Sequence, residues 1–167
     1  LVFPLYHLDF ETFMPAIPRY PGTNPYSVIP FQWSIHIEHA DGTLVHWEFL
    51  AENARDPRED CAQKMLDVLG AKGSIITYSN YEVTQIKTAA NALPHLALKL
   101  LALLPRIVDL CEVIKAHFYH PDFHGSYSIK KVLPVLVPEM SYEGLEIADG
   151  QAASAAFEHM IHSTDPH

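Results

Sequence analysis

The chain opens on an apolar run. From Val2 to Phe10 the pattern predicts a buried strand, with Leu8 and Phe10 on one face and Asp9 and Glu11 together on the other. Phe31 to Glu38 alternates more cleanly, setting Phe31, Trp33, Ile35 and Ile37 inward and polar residues outward. Asp41-Gly42 predicts a hairpin turn, after which Thr43 to Leu50 returns with Val45, Trp47 and Phe49 on one face. Between the first two strands, Pro15, Pro18, Pro21, Pro25, Pro30 and Gly22 forbid a helix. Phe13 to Pro30 therefore reads as a stiff, extended loop, which leaves from the Asp9 and Glu11 end of the strand and should wall it.

The period then changes. Asp56 as cap, Pro57 at the first helical position and Glu59 begin a helix whose stripe is Cys61, Met65, Val68 and Leu69, and Gly70 ends it. Gly73 to Tyr78 is a short central strand, apolar enough for burial on both faces. Ser79 or Asn80 caps the next helix and puts Glu82 in its first turn, at the carboxyl end of that strand. Pro94 to Leu104 predicts a very apolar helix, Arg106 to Leu110 a last short strand, and a helix runs on through Ala116. Gly125 to Ser128 leads into a helix carrying Ile129, Val132, Leu133 and Leu136, and Ile147 to Gly150 opens a final one from Gln151 to His162.

Composition supports one folded domain over residues 1–167: 49% of the 167 residues are hydrophobic and 19% charged. No window reaches the length of a membrane span, and no signal peptide is visible. The two cysteines, Cys61 and Cys111, sit in apolar helical contexts and read as reduced core residues of a cytoplasmic protein. The start at Leu1, without an initiator Met and directly in a core strand, suggests a domain excised from a longer protein. A net charge of −9 lacks the basic surface by which nucleic-acid binders usually announce themselves. A nucleic-acid partner then needs metal ions or a neighbouring domain to supply the positive field.

Asp9 and Glu11 on one face of a rigid strand repel each other, and a divalent cation with a preference for oxygen, Mg²⁺ or Mn²⁺, relieves that repulsion. The plainer reading of Asp-x-Glu is a strand that ends in solvated residues. Glu82 after a strand, Asp109 at the end of another and Asp149 before the last helix are the further acids that could join them. Asp149 alone reads equally as an N-cap. Arg19, Tyr20, Tyr26 and the Lys130-Lys131 pair are candidate contacts for phosphate or base. His36, His39 and His46 read as a solvated sheet face, and the spacing of His117, His120 and His124 fits no zinc signature.

The order strand, strand, strand, helix, strand, helices, with these acids at its element ends, resembles the ribonuclease H-like fold, in particular its DEDD 3′–5′ exonuclease branch. The resemblance rests on Leu8-Asp9-Phe10-Glu11-Thr12, on Tyr81-Glu82, on Val108-Asp109-Leu110 and on Asp149. More closely, Leu8 to Phe13, Pro15 to Thr23, Ile29 to Trp33, His120 to Phe123, Gly125 to Lys131 and Ser141 to Leu145 resemble domain of unknown function 2779, a bacterial family, over nearly the whole chain. The fold so implied is α/β: a mixed sheet, antiparallel in strands one to three with parallel strands added, flanked by helices.

What this resemblance implies is two-metal hydrolysis of phosphodiester bonds in DNA or RNA, most simply as a 3′–5′ exonuclease on a single-stranded end. Asp9 would bridge two Mg²⁺ or Mn²⁺ ions, Glu11 and Asp149 would complete the tighter site, and Glu82 would hold the second ion. Arg19, Tyr20, Tyr127, Lys130 and Lys131 would contact substrate, and a further domain of the same full-length protein is an expected partner. The superfamily has Asp where Glu82 stands, for which Asp109 is a substitute. It also has a general-base His or Tyr where Gly144 and Leu145 stand, leaving Tyr142 and Glu146 as stand-ins. Two alternatives follow: a catalytically weak or inactive ribonuclease H-like module that binds nucleic acid or a partner domain, and a phosphodiesterase for small nucleotides.

Overall fold

The computed structural model describes residues 1–140 and 150–162. Five strands, β1 (Leu5–Phe13), β2 (Ile29–Glu38), β3 (Leu44–Leu50), β4 (Ser74–Thr77) and β5 (Ile107–Asp109), form one open sheet in the order β3-β2-β1-β4-β5. β1 to β3 are antiparallel neighbours, while β4 and β5 join parallel to β1. Among the described residues six α-helices flank this sheet: α1 (Arg58–Leu69), α2 (Tyr81–Ala92), α3 (Ala97–Leu101), α4 (Leu110–His117), α5 (Ile129–Leu136) and α6 (Gly150–His162). The mixed α/β sheet expected from the element order is the one observed.

Several boundaries differ from the expected ones. β1 starts at Leu5 rather than Val2, just past Pro4, which has no N–H for a ladder, and runs on to Phe13 because β2 pairs with it back to Ile29. Within it the alternation holds: Leu8 and Phe10 are buried, and Asp9 and Glu11 share the opposite face. β3 carries Val45, Trp47 and Phe49 on the same side as the core residues of β2, yet only Phe49 is buried. α1 lies against that end of the hairpin, with Trp33 Nε1 donating to Cys61 O at 3.0 Å and Lys64 Nζ over the Phe49 ring, and does not reach Val45 or Trp47.

Asp56 is not the cap of α1, and no side chain caps that helix. Asp56 instead accepts from the Arg58 N–H and holds the Arg58 guanidinium, and Pro57 occupies the cap position. The apolar helix from Pro94 to Leu104 shrinks to the five residues of α3 followed by a 3₁₀ turn, and Leu98 on its outer side is exposed. All four residues of β4 are buried, as its composition predicts. Both cysteines are buried and unpaired. None of the described helices is long and apolar enough to cross a membrane.

The start of the proline-rich loop stays beside the acids, Met14 lining a cavity with Glu11 and Tyr81, and the rest turns away. It folds back on itself through the Tyr26 N–H to Pro15 O, is held by Arg58 Nη2 on Pro21 O, and leans against α2. Tyr20 is swallowed by the core on the way. α6 takes the rest of the place expected of the loop. Phe157 stacks on Phe31 at 4.2 Å and tilts onto Phe13 at 5.1 Å, pinning the helix across β1 and β2.

Candidate carboxylate site

The face of β1 that carries Asp9 and Glu11 looks into a cleft of about 610 Å³ between the sheet and α6. Gln32 and Ser34 of β2 and Leu50 of β3 continue the sheet wall, and Ala153, Ala156, Phe157 and Met160 form the helix wall. The small residues on α6 are what let it approach so closely. At its first turn, Ser154 Oγ lies 2.7 Å from both Thr12 O and Gly150 O, tying the helix start to the end of β1. A Cβ placed on Gly150 would stand 3.4 Å from Glu11 Oε2, so α6 begins in contact with that carboxylate.

Glu82 comes within electrostatic reach of Asp9 from the other direction. β4 runs parallel to β1 and delivers α2 at its carboxyl end, the position where open α/β sheets offer ligands a crevice. Glu82 is only 3% exposed, its Oε2 has no hydrogen-bond partner, and its pKa is pushed up to about 7. Burial is the main cause; its own backbone N–H acts the other way, and Asp9 and then Asp109 add smaller like-charge repulsions. Asp9 is also raised, by desolvation first, with the Phe10 N–H on Oδ1 at 3.0 Å acting the other way.

Tyr81 is the residue that sequence reasoning passed over. Its hydroxyl shares a hydrogen bond with Thr12 Oγ1, and after desolvation its raised pKa reflects the nearby charges of Glu11, Glu82 and Asp9. It is therefore the group that senses all three acids at once. The signal was available: it is the residue before Glu82 at a helix start, one step from β4's end.

The other predicted residues fall into different surroundings. Asp109 caps α4: its Oδ1 accepts from the Ser79 N–H at 2.8 Å, Cys111 N–H at 2.9 Å and Glu112 N–H at 3.4 Å, so that oxygen is committed to the backbone. Arg19 is held at 2.9 Å by Glu158 of α6 and lies over the Phe13 ring. Tyr20 is a core residue whose buried ring cannot stack on a base. Tyr127 packs edge-on against Phe123, and its carbonyl accepts from the Tyr78 hydroxyl at 2.6 Å. Lys130 and Lys131 stand exposed in the first turn of α5. Tyr142, Glu146 and Asp149 lie outside the described residues.

Among the described residues no three His, Cys, Asp or Glu side chains converge to hold a metal ion. His117, His120 and His124 form no such group. On the sheet, His36 stacks on His46 at 4.2 Å, and the third histidine of that row is His7 of β1 rather than His39. For the acids, the donor chemistry fits a hard divalent cation: carboxylate oxygens from two strands' ends, one of them buried without any partner. Asp9 and Glu82 repel one another, and the Tyr81 hydroxyl lies in the field of both and of Glu11.

A family model described as Domain of unknown function (DUF2779) matches residues 6–128. No curated protein matches the chain, and no solved structure does.

Proposed function

We propose that this chain, which belongs to the family described as Domain of unknown function (DUF2779), is a divalent-metal-dependent nuclease. In this reading it hydrolyses phosphodiester bonds of DNA or RNA, in the manner of a 3′–5′ exonuclease, with Mg²⁺ or Mn²⁺ as cofactor. The observation that carries it is Glu82: a carboxyl buried to 3% exposure, unpartnered at Oε2 and set beside a second raised acid, Asp9. A buried acid with an oxygen left without a hydrogen-bond partner costs stability, and a protein that only needed a fold has apolar residues for that position. Binding of a cation returns that cost as function.

Asp9, Glu11, Glu82 and Asp149 would hold the ions, Asp9 contributing to both, Glu11 and Asp149 to one and Glu82 to the other. Such ions lower the pKa of an attacking water and neutralise charge on the phosphoryl oxygens. The chain's own residues then orient and exclude. β1 and the start of α2 fix the carboxylates on rigid elements, and α6 closes one side of the cleft through Phe157 and Ser154. The Tyr81 hydroxyl, held by Thr12, is placed to hold or pass a proton beside the acids. Lys130 and Lys131 of α5 and Tyr127 are proposed contacts to the substrate's backbone. A further domain of a longer protein would supply the positive field that a chain of net charge −9 lacks.

A second reading is a module that binds a partner without catalysis. It draws on the lack of three converging ligands among the described residues and on the acidic surface.

The test is Mn²⁺ binding by calorimetry on the unaltered chain and on Asp9→Asn, followed by hydrolysis of end-labelled single-stranded DNA and RNA. The nuclease reading expects binding that Asp9→Asn removes, and metal-dependent cleavage that goes with it. Absence of Mn²⁺ binding to the unaltered chain overturns it in favour of the second reading.

A further inference from the structure

β3 is the open edge of the sheet: among the described residues nothing pairs with it beyond β2. Native edge strands are usually blunted by a proline, a lysine, a bulge or a short length. β3 has none of these. It is seven residues long, Leu-Val-His-Trp-Glu-Phe-Leu, and pairs with β2 without a register shift. It also exposes large apolar side chains, with Leu44 68%, Trp47 53% and Val45 37% accessible.

The direction of its backbone groups is settled by its neighbours. The His39 N–H donates to Thr43 O, and the Ala51 N–H donates to Phe31 O. Hydrogen-bonded pairs alternate along an antiparallel ladder, so the odd-numbered residues of β3 turn their N–H and C=O groups toward β2. Leu44, His46, Glu48 and Leu50 turn theirs outward.

We infer that β3 is a self-association surface, on which a second copy of this chain pairs antiparallel through a two-fold axis at Trp47. In that register His46 lies opposite Glu48 of the other copy, Leu44 opposite Leu50, and Val45 opposite Phe49, while the two Trp47 side chains meet at the axis. Each outward-facing residue finds an outward-facing partner, and every cross-strand pair matches polar with polar, the His46 imidazole against the Glu48 carboxylate, or apolar with apolar. The neighbouring symmetric registers fail this match. Centring on Glu48 sets two carboxylates opposite each other, and centring on His46 sets Leu44 against Glu48.

The pairing is isologous and closes on itself, so it gives a dimer and not a fibre. Its axis stands perpendicular to the sheet, so two five-stranded sheets become one and both faces bearing Asp9 and Glu11 look the same way. Leu50 lines the carboxylate cleft, so Leu44 of the second copy would sit beside the rim of that cleft. The inference does not depend on what the carboxylates do.

Sedimentation over a wide range of concentration tests it, with four chains: unaltered, His46→Glu, Glu48→Lys, and the double charge exchange. The unaltered chain should dimerise, and its tryptophan emission should shift to the blue as Trp47 is covered. His46→Glu sets two carboxylates opposite one another twice, Glu48→Lys takes away the acceptor facing His46 twice, and each should weaken the dimer about tenfold. The double exchange sets opposite charges there and should recover most of the affinity. His46 and Glu48 are both exposed, and unchanged circular dichroism will show that the variants fold. A chain that stays monomeric throughout leaves this edge to some other strand and overturns the inference. A dimer indifferent to the single changes, or one that the double exchange does not restore, overturns it too.

Discussion

Glu82 is where sequence cost and chemistry meet most openly. In an unfolded chain its carboxyl ionises near 4.5, and in the folded protein near 7. Below pH 4.5 both states hold the proton, and Glu82 has no effect on stability. Between 4.5 and about 7 the unfolded state loses it first, so stability falls as pH rises, by about 3 kcal/mol in all. Above 7 the penalty is complete. Glu82→Gln keeps the shape without the charge, and is expected to be more stable than the unaltered chain at pH 8 but nearly equal to it at pH 4.5. Urea unfolding at the two pH values checks this. Gly73, by contrast, has no substitute: its φ is +95°, and a Cβ there would collide with the Pro4 carbonyl and the Tyr6 ring. Gly73→Ala should cost more than the roughly 1–3 kcal/mol of backbone strain alone, measured as a loss of unfolding free energy.

At the scale of elements, the cleft depends on how α6 is seated. Phe157 is the anchor, stacked on Phe31 and packed against Phe13. Phe157→Ala is expected to lose about 3–5 kcal/mol and to make α6 the first segment cut in limited proteolysis. α4 is held differently. Asp109 gathers three backbone N–H groups, one from the loop that leads into α2, so Asp109→Ala should cost about 1–2 kcal/mol and disturb the setting of Glu82 as well. Asp109 could be read from sequence only as one more acid. Its commitment to Ser79, thirty residues away, exists because β4 and β5 lie side by side.

For the whole molecule, the proposed cation site makes stability depend on metal. Divalent cation at a hundredfold excess over its dissociation constant should stabilise the folded chain by about 2.7 kcal/mol. The gain should vanish in Asp9→Asn and shrink in Glu82→Gln, and a thermal scan with and without Mn²⁺ reads it directly. It should also shrink as pH falls below about 7, where Glu82 keeps its proton and competes with the ion. An unchanged melting temperature in Mn²⁺ at pH 8 would sink the metal site.

Local patterns were enough for much of this protein. Alternation in β1 and β2 assigned Asp9 and Glu11 to one face, because side chains on a strand point by turns to opposite sides. The burial of β4 and the place of Glu82 at the start of α2 followed in the same way from apolar content and the strand-to-helix change of period. Tertiary structure decided what those patterns leave open. Whether Val45 and Trp47 are covered depends on how far α1 reaches across the sheet. The short α3 depends on what its neighbours leave room for, and Tyr20 went into the core because the proline loop doubles back through Tyr26 and Pro15. The raised pKa of Glu82 arises from desolvation and, in smaller part, from Asp9, seventy-three residues earlier in the chain. Burial and charge act through space, and no local pattern carries the distance between two residues so far apart.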